Sequence, residues 1–392
     1  VNIKALNISK YKWLSNTTIF LLIIILTFFL ARKNNSPIII GYAAQLTGTQ
    51  AAMGVQGRNG VQLAVETINE SGGIAGRRLK LIYRDDFGIS EKAQIADNEL
   101  IKEGAIAIIG HVTSSQTLAG LKVTNPAKVV MLSPTVSTPE LSGLKDYFFR
   151  VHPSFKDSSE AFAKYIYEHT NVKRMAIIYD LDNFEYTKTY SAVFGNRFKF
   201  LGGDLAGEIG FSSSIQPDFS KLLLEVEKTK PEGLLIIASD IDTALIAQRI
   251  RLMSWNVPLF ATGWPLTETL INNGGQAVEG MKLEQFYTQT SQSPNFIDFK
   301  YRYAARFGND PTFSAAYSYE AAFVLADALR KTGGKSEGLK EALEEIKDFN
   351  GLTDNFSLDE FGDVKRPYYL STIKDGKVIT IEKLASNNSG GE

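Results

Sequence analysis

Two short segments carry residues whose types and spacing suit the capture of a small anion. The first spans residues 105–117 and reads Ala-Ile-Ala-Ile-Ile-Gly-His-Val-Thr-Ser-Ser-Gln-Thr. The second spans residues 129–138 and reads Val-Val-Met-Leu-Ser-Pro-Thr-Val-Ser-Thr. Each is an apolar run that stops at hydroxyl residues. The segment between them has helical spacing, so the order is strand, helix, strand, and the two strands should lie parallel. In open α/β sheets, ligands bind beyond the carboxyl ends of the strands. A serine hydroxyl beside the free amides of a helix start is a receptor for a carboxylate. No GxSxG, HExxH or phosphate-loop motif and no nucleophile–base pair accompanies them, so the expected chemistry is capture rather than conversion.

Elements of the same grammar must position these loops. Strands are expected at Ile38–Gly41 and Leu79–Tyr83, with helices at Arg58–Ser71 and Ser90–Glu103. The glycine-rich stretch from Thr47 to Gly60 reads as a loop entering the first helix. The pattern then restarts: strands at Met175–Tyr179, Gly233–Ala238 and Leu259–Ala261 alternate with helices at Ser158–Thr170, Tyr186–Leu201 and Thr243–Ser254. This implies two similar α/β lobes rather than one long sheet. Three late helices, Asn295–Phe307, Ser314–Lys331 and Ser336–Lys347, have no strand partners and are expected to return to the first lobe. Alternating residues on either side of Asp375-Gly376 predict a β-hairpin.

Composition narrows the function. At 392 residues the chain can bury two cores. Residues 1–36 hold five basic side chains (Lys4, Lys10, Lys12, Arg32, Lys33) and no acid. Leaving those aside, 37 basic face 43 acidic side chains, a balance of −6 that gives no reason to expect nucleic acid as a partner. The chain has no cysteine and three histidines, none paired at metal-ligand spacing, so no metal or cofactor is expected. Lys4, Lys10 and Lys12 precede an apolar run, Ile19–Ala31. Its thirteen residues suit the core of a secretory signal better than a membrane span of about 20. An uncleaved anchor is the alternative, and would be the chain's one contact with the membrane. Either way the remainder is expected in the periplasm or on the outer face of the cytoplasmic membrane.

One ordered set of residues is more specific. It runs Thr47-Gly48, Gly54, Gly57, Gly60, Ala64, Ile68-Asn69, Gly72-Gly73-Ile74, Gly76-Arg77 and Leu79, followed by Asp85-Asp86. Gly110-His111, Ser114-Ser115, Ser133-Pro134, Pro139-Glu140-Leu141, Gly275, Glu279-Gly280-Met281 and Tyr319-Glu320-Ala321 continue it. The set resembles the branched-chain-amino-acid type periplasmic binding proteins, the solute receptors of ABC importers, over residues 37–385. The resemblance implies a type I periplasmic binding protein fold: two Rossmann-like lobes joined by a three-strand hinge. One lobe would comprise 37–154 and 286–366, the other 155–285 and 367–385, with a tail at 386–392. It implies a non-enzymatic receptor that closes on an amino acid or related small carboxylate and delivers it to a membrane permease. A sensing module of the same fold in a signalling system is the alternative.

On this pattern Ser114 and Ser137 fall where the family holds the ligand carboxylate, with Ser115 beside them as a further candidate ligand-binding residue, and Thr135 and Ser137 fall where it offers a carbonyl and a hydroxyl to the ammonium. The family's ammonium-binding carboxylate falls at Gly263-Trp264, where no acid stands. Asp240, at the end of a neighbouring strand, is either its substitute or the cap of the helix at Thr243. Met53, Phe184, Trp264 and Tyr317 are expected to line the rest of the pocket. His111 is expected to be a packed structural residue. Arg58 stands beside the cleft.

Overall fold

The computed structural model describes residues 36–48, 51–287 and 291–384. The N-terminal apolar run and the C-terminal tail lie outside them. Among the described residues no helix is long and apolar enough to cross a membrane.

The first lobe is a parallel five-stranded sheet built from β1 (Ile38–Ala44), β2 (Leu79–Asp85), β3 (Ala107–Gly110), β4 (Val130–Ser133) and β5 (Phe148–Arg150), in the order β2-β1-β3-β4-β5. The strands are short, continuous apolar runs because helices cover both faces. These are α1 (Ala51–Glu70), α2 (Ser90–Lys102) and α3 (Ser114–Ala127). The second lobe repeats the order. Strands β6 (Arg174–Asp180), β7 (Asp204–Phe211), β8 (Gly233–Ile237), β9 (Leu259–Ala261) and β10 (Lys282–Gln285) lie as β7-β6-β8-β9-β10, all parallel. Helices α4 (Lys156–His169), α5 (Phe184–Phe200), α6 (Phe219–Lys228), α7 (Asp240–Leu252) and α8 (Glu268–Gly274) accompany them. The lobes are two copies of one doubly wound design, and strand order reverses beside the first strand of each.

The chain crosses between lobes three times: after β5, after β10, and before the last hairpin. The second crossing leads to α9 (Pro294–Phe307), α10 (Phe313–Lys331) and α11 (Leu339–Glu344), and then to the small hairpin of β11 (Phe349–Asn350) and β12 (Asn355–Phe356). Helix α10 lies along α1 on the first lobe. The third crossing delivers β13 (Tyr369–Lys374) and β14 (Lys377–Lys383) to the second sheet, where β13 pairs antiparallel with β10. The hairpin turns at Asp375 (φ 53°) and Gly376 (φ 67°), both left-handed as a type I′ turn requires.

The glycine-rich stretch is not a loop. Helix α1 starts at Ala51, and Gly54, Gly57 and Gly60 form one face of it. A Cβ at Gly54 would lie 1.9 Å from the Gln45 carbonyl oxygen, at Gly57 2.4 Å from the Tyr42 hydroxyl, and at Gly60 2.1 Å from the Ala315 carbonyl oxygen. The glycines let α1 close on β1 and α10. Their spacing of three is a packing stripe, and tertiary contact outweighs their low helix propensity. Strand β7, unassigned from sequence, is an edge strand whose Gly207 and Gly210 and partly exposed faces hide its pattern.

A buried ionic node ties the crossings together. Arg366, on the third, donates to Glu320 of α10 (Nη1 to Oε2, 2.6 Å), to Asp354 (Nη2 to Oδ1, 2.6 Å) and to the Val151 carbonyl of the first crossing (3.2 Å). Its guanidinium lies over the rings of Tyr317 and Phe356 at 4.8 and 4.5 Å. Arg366→Ala would leave Glu320 buried without its counter-charge, which costs about 3–5 kcal/mol. Urea unfolding should show that loss, and a change under about 1 kcal/mol would contradict the node's role.

Candidate functional site

The carboxyl ends of both sheets face one gap. In the first lobe, the loop after β3 leads through Val112 and Thr113 into α3, and the loop after β4 runs from Ser133 to Thr138. Two hydroxyls stitch these loops together: Ser133 Oγ donates to the His111 carbonyl at 2.8 Å, and Thr135 Oγ1 donates to the Val112 carbonyl at 2.6 Å. Thr113, at the N-cap of α3, is extended and gives the helix no side-chain cap; its hydroxyl bonds Gln116 instead. The first turn of α3 therefore has no cap from its own N-cap residue; the Ser115 amide donates at 3.5 Å to Asn183 Oδ1 of the facing lobe, and Ser114 is buried beside it.

The facing wall comes from the second lobe. Trp264 follows β9, and Asn183 and Tyr186 stand at the start of α5; the Tyr186 and Trp264 rings meet edge-on at 5.8 Å. The floor is the hinge itself: His152 and Phe155 from the first crossing, and Glu284, Gln285, Phe286 and Tyr287 from β10 and the second. Met53 and Phe313 approach from the first lobe. The cavity volume is about 60 Å³, a space of the size that takes one small solute.

The structure brings Met53, Ser114, Thr135, Ser137, Trp264 and Tyr317 to this one cavity. The Tyr317 hydroxyl donates to the Phe286 carbonyl at 2.8 Å, so the ring lines the floor while its polar tip holds the hinge. Ser115, Phe184 and Asp240 lie elsewhere. Ser115 bridges the lobes at the mouth, its hydroxyl accepting from the Glu185 amide at 3.2 Å. Phe184, 46% exposed, opens α5 from the outside. Asp240 sits in an adjoining recess beyond Trp264, accepting from the Thr267 hydroxyl at 2.7 Å and from the Ile241 amide at 2.9 Å. Ser239, not Asp240, caps α7. Arg58 lies over the Tyr83 ring, away from the cavity.

Glu284 is the lining residue that sequence reasoning passed over. It is 1% exposed on β10 and its Oε2 has no hydrogen-bond partner among the described residues. Burial pushes its carboxyl up to about 7, against the pull of the Tyr190 and Ser158 hydroxyls. In the sequence it alternates with Lys282 as though facing solvent. The missed signal is that helices α4 and α5 pack over this face of β10 and bring Ser158 and Tyr190 against the carboxyl. Nearby His152 is neutral. Its Nδ1 donates to the Pro153 carbonyl at 2.9 Å, and burial pulls its pKa down to about 3. The floor thus contributes no resident cation.

The fold and this cleft define a two-lobed solute receptor. The chain belongs to the periplasmic binding protein family, whose sequence model matches residues 37–377. It is 25% identical over 354 residues to the Leu/Ile/Val-binding protein homolog 1 of Brucella suis, covering 85% of this chain and 89% of that one. The crystal structure of a leucine-binding protein from Thermotoga maritima superposes with a TM-score of 0.82 at 27% identity, over 90% of this chain and 99% of that one. A solute-binding protein of an ABC transporter from R. palustris in complex with benzoate has the same fold, with a TM-score of 0.80 at 19% identity over 89% and 97% of the two chains.

Behind the first loop, His111 is fully buried, with Nδ1 2.6 Å from Asp86 Oδ2 and Nε2 3.3 Å from Asp97 Oδ1. Burial opposes its charge, but Asp97 and Asp86 outweigh it and raise the pKa to about 10. The stability this gives is complete below the unfolded value of about 6.5 and is lost as pH rises through about 10. Melting temperature should fall across that window, and more steeply in the wild type than in His111→Asn. Equal slopes would remove the imidazolium from the account.

Proposed function

We propose that this chain is an extracytoplasmic receptor that encloses a small carboxylate-bearing solute between its lobes and delivers it to an ABC permease. The observation that carries this reading is the meeting, in one small cavity, of the start of α3 with the Ser114 and Ser137 hydroxyls. A carboxylate leaving water must regain several hydrogen bonds, and amides and hydroxyls fixed in place supply them with little ordering cost. The ring-lined opposite wall suits the solute's apolar body. Leucine, bound by the Thermotoga relative, has both parts.

Transfer follows from the hinge. A solute that touches both walls stabilises the closed form over the open one by the contacts that only closure makes. The permease would read the closed pair of lobe tips. The basic, apolar N-terminal segment would take the chain across the membrane, as a cleaved signal or as an anchor.

Ser114→Ala tests the site. Calorimetry against the tightest binder in a panel of the twenty amino acids should show affinity falling about 10- to 100-fold, the value of one or two hydrogen bonds to a charged group. The melting temperature of the free protein should stay close to that of the wild type. Affinity within twofold of wild type would place the carboxylate elsewhere.

A further inference from the structure

We propose that Glu284 supplies the counter-charge for an ammonium group on the ligand, so that the cavity selects a small amino acid over an amine-free carboxylate. This rests on the receptor reading above and goes beyond it by assigning the second polar group of the ligand. No acid stands at the loop position where resemblance expects one, and Asp240 is spent on Thr267 and on the start of α7. Glu284 approaches from a different element, the hinge strand.

Three observations converge on it. First, Glu284 lines the cavity and is 1% exposed, and although the Tyr190 and Ser158 hydroxyls stand beside its carboxyl, Oε2 has no hydrogen-bond partner among the described residues. A buried carboxylate oxygen without a donor is costly unless something brings one. Second, among the described residues no cation faces it from a packed element. Helix α4 contributes Ser158, α5 contributes Tyr186 and Tyr190, and the third crossing contributes Tyr368. His152 on the floor is neutral, and Arg366 behind it is bound to Glu320 and Asp354. Third, the cavity around it is aromatic. Tyr186, Trp264, Phe286 and Tyr287 surround the space, and an ammonium group among such rings gains from their negative faces as well as from the carboxylate. Hydroxyls and amides at one end and a carboxylate without a counter-cation at the other match the two ends of a zwitterion.

The arrangement also predicts a pH response. Burial places the carboxyl's ionisation at about 7 in the empty receptor. An ammonium ligand needs it ionised, so affinity should fall as pH drops below about 7, by up to tenfold per unit. A ligand without an amine would instead need the protonated acid and would weaken above that pH.

Calorimetry at pH 5.5, 7 and 8.5 separates the cases, with the twenty amino acids and benzoate as probes, on the wild type and Glu284→Gln. The expected result is an amino acid bound far more tightly than benzoate by the wild type. Its affinity should fall toward acid pH, and Glu284→Gln should lose about 30-fold or more together with the pH slope. Retention of affinity within threefold and of the slope would overturn the role of Glu284. Benzoate binding more tightly than every amino acid would overturn it too, while leaving the carboxylate receptor standing. Failure of all probes would remove both. Should Glu284→Gln not fold, the wild-type pH profile decides alone: affinity that is flat or improves toward acid pH refutes the proposal.

Discussion

A charged solute can leave water only where each of its charges is met, because unpaired burial costs more than any contact with its apolar part returns. The cavity is organised by that constraint. Its first-lobe wall consists of amides and hydroxyls whose positions are set before any ligand arrives. Thr135 is tied to Val112, Ser133 is tied to His111, and the His111 ring is held between two aspartates behind the loop. Loops fixed in this way hold the Ser114 and Ser137 hydroxyls in place, so binding needs little reorganisation, which is what distinguishes a receptor from a merely polar groove.

The same residues serve the site and the hinge. Tyr317 lines the cavity, bonds the second crossing at Phe286, and lies under the Arg366 guanidinium. Arg366 in turn bonds Glu320 of α10 and the Val151 carbonyl of the first crossing. Ligand contact and lobe orientation are therefore mechanically linked through a few buried groups. At the mouth, Ser115 touches the start of α5, a contact between lobes that opening would break.

Much of this was legible in the sequence, for identifiable reasons. Short apolar runs ending in Ser, Thr and Gly marked the strand ends of both lobes, and Asp375-Gly376 marked its hairpin, because turn chemistry is local. Six of nine candidate site residues converge on the cavity. What escaped depended on contacts distant in sequence. The stripe of Gly54, Gly57 and Gly60 resembled a loop until Ala315 and Tyr42 stood against it. Asp240 and Ser239 are adjacent at the same strand end, and only the fold decides which one caps α7. Phe184 begins a helix and its ring turns outward, whereas Tyr186, one step inward, meets Trp264. Glu284 sits in an alternation that suits a surface strand, and it is buried because α4 and α5 pack over that face with Ser158 and Tyr190.

The central claim is that a small zwitterion lies clamped between the lobes, and the most direct measurement is mass spectrometry of whatever solute the purified protein carries. The protein should be taken intact in native buffer and then denatured to release its passenger. The account predicts one equivalent of a single small amino acid. One equivalent of a sugar, a nucleoside or any other solute lacking either a carboxyl or an amino group would contradict it.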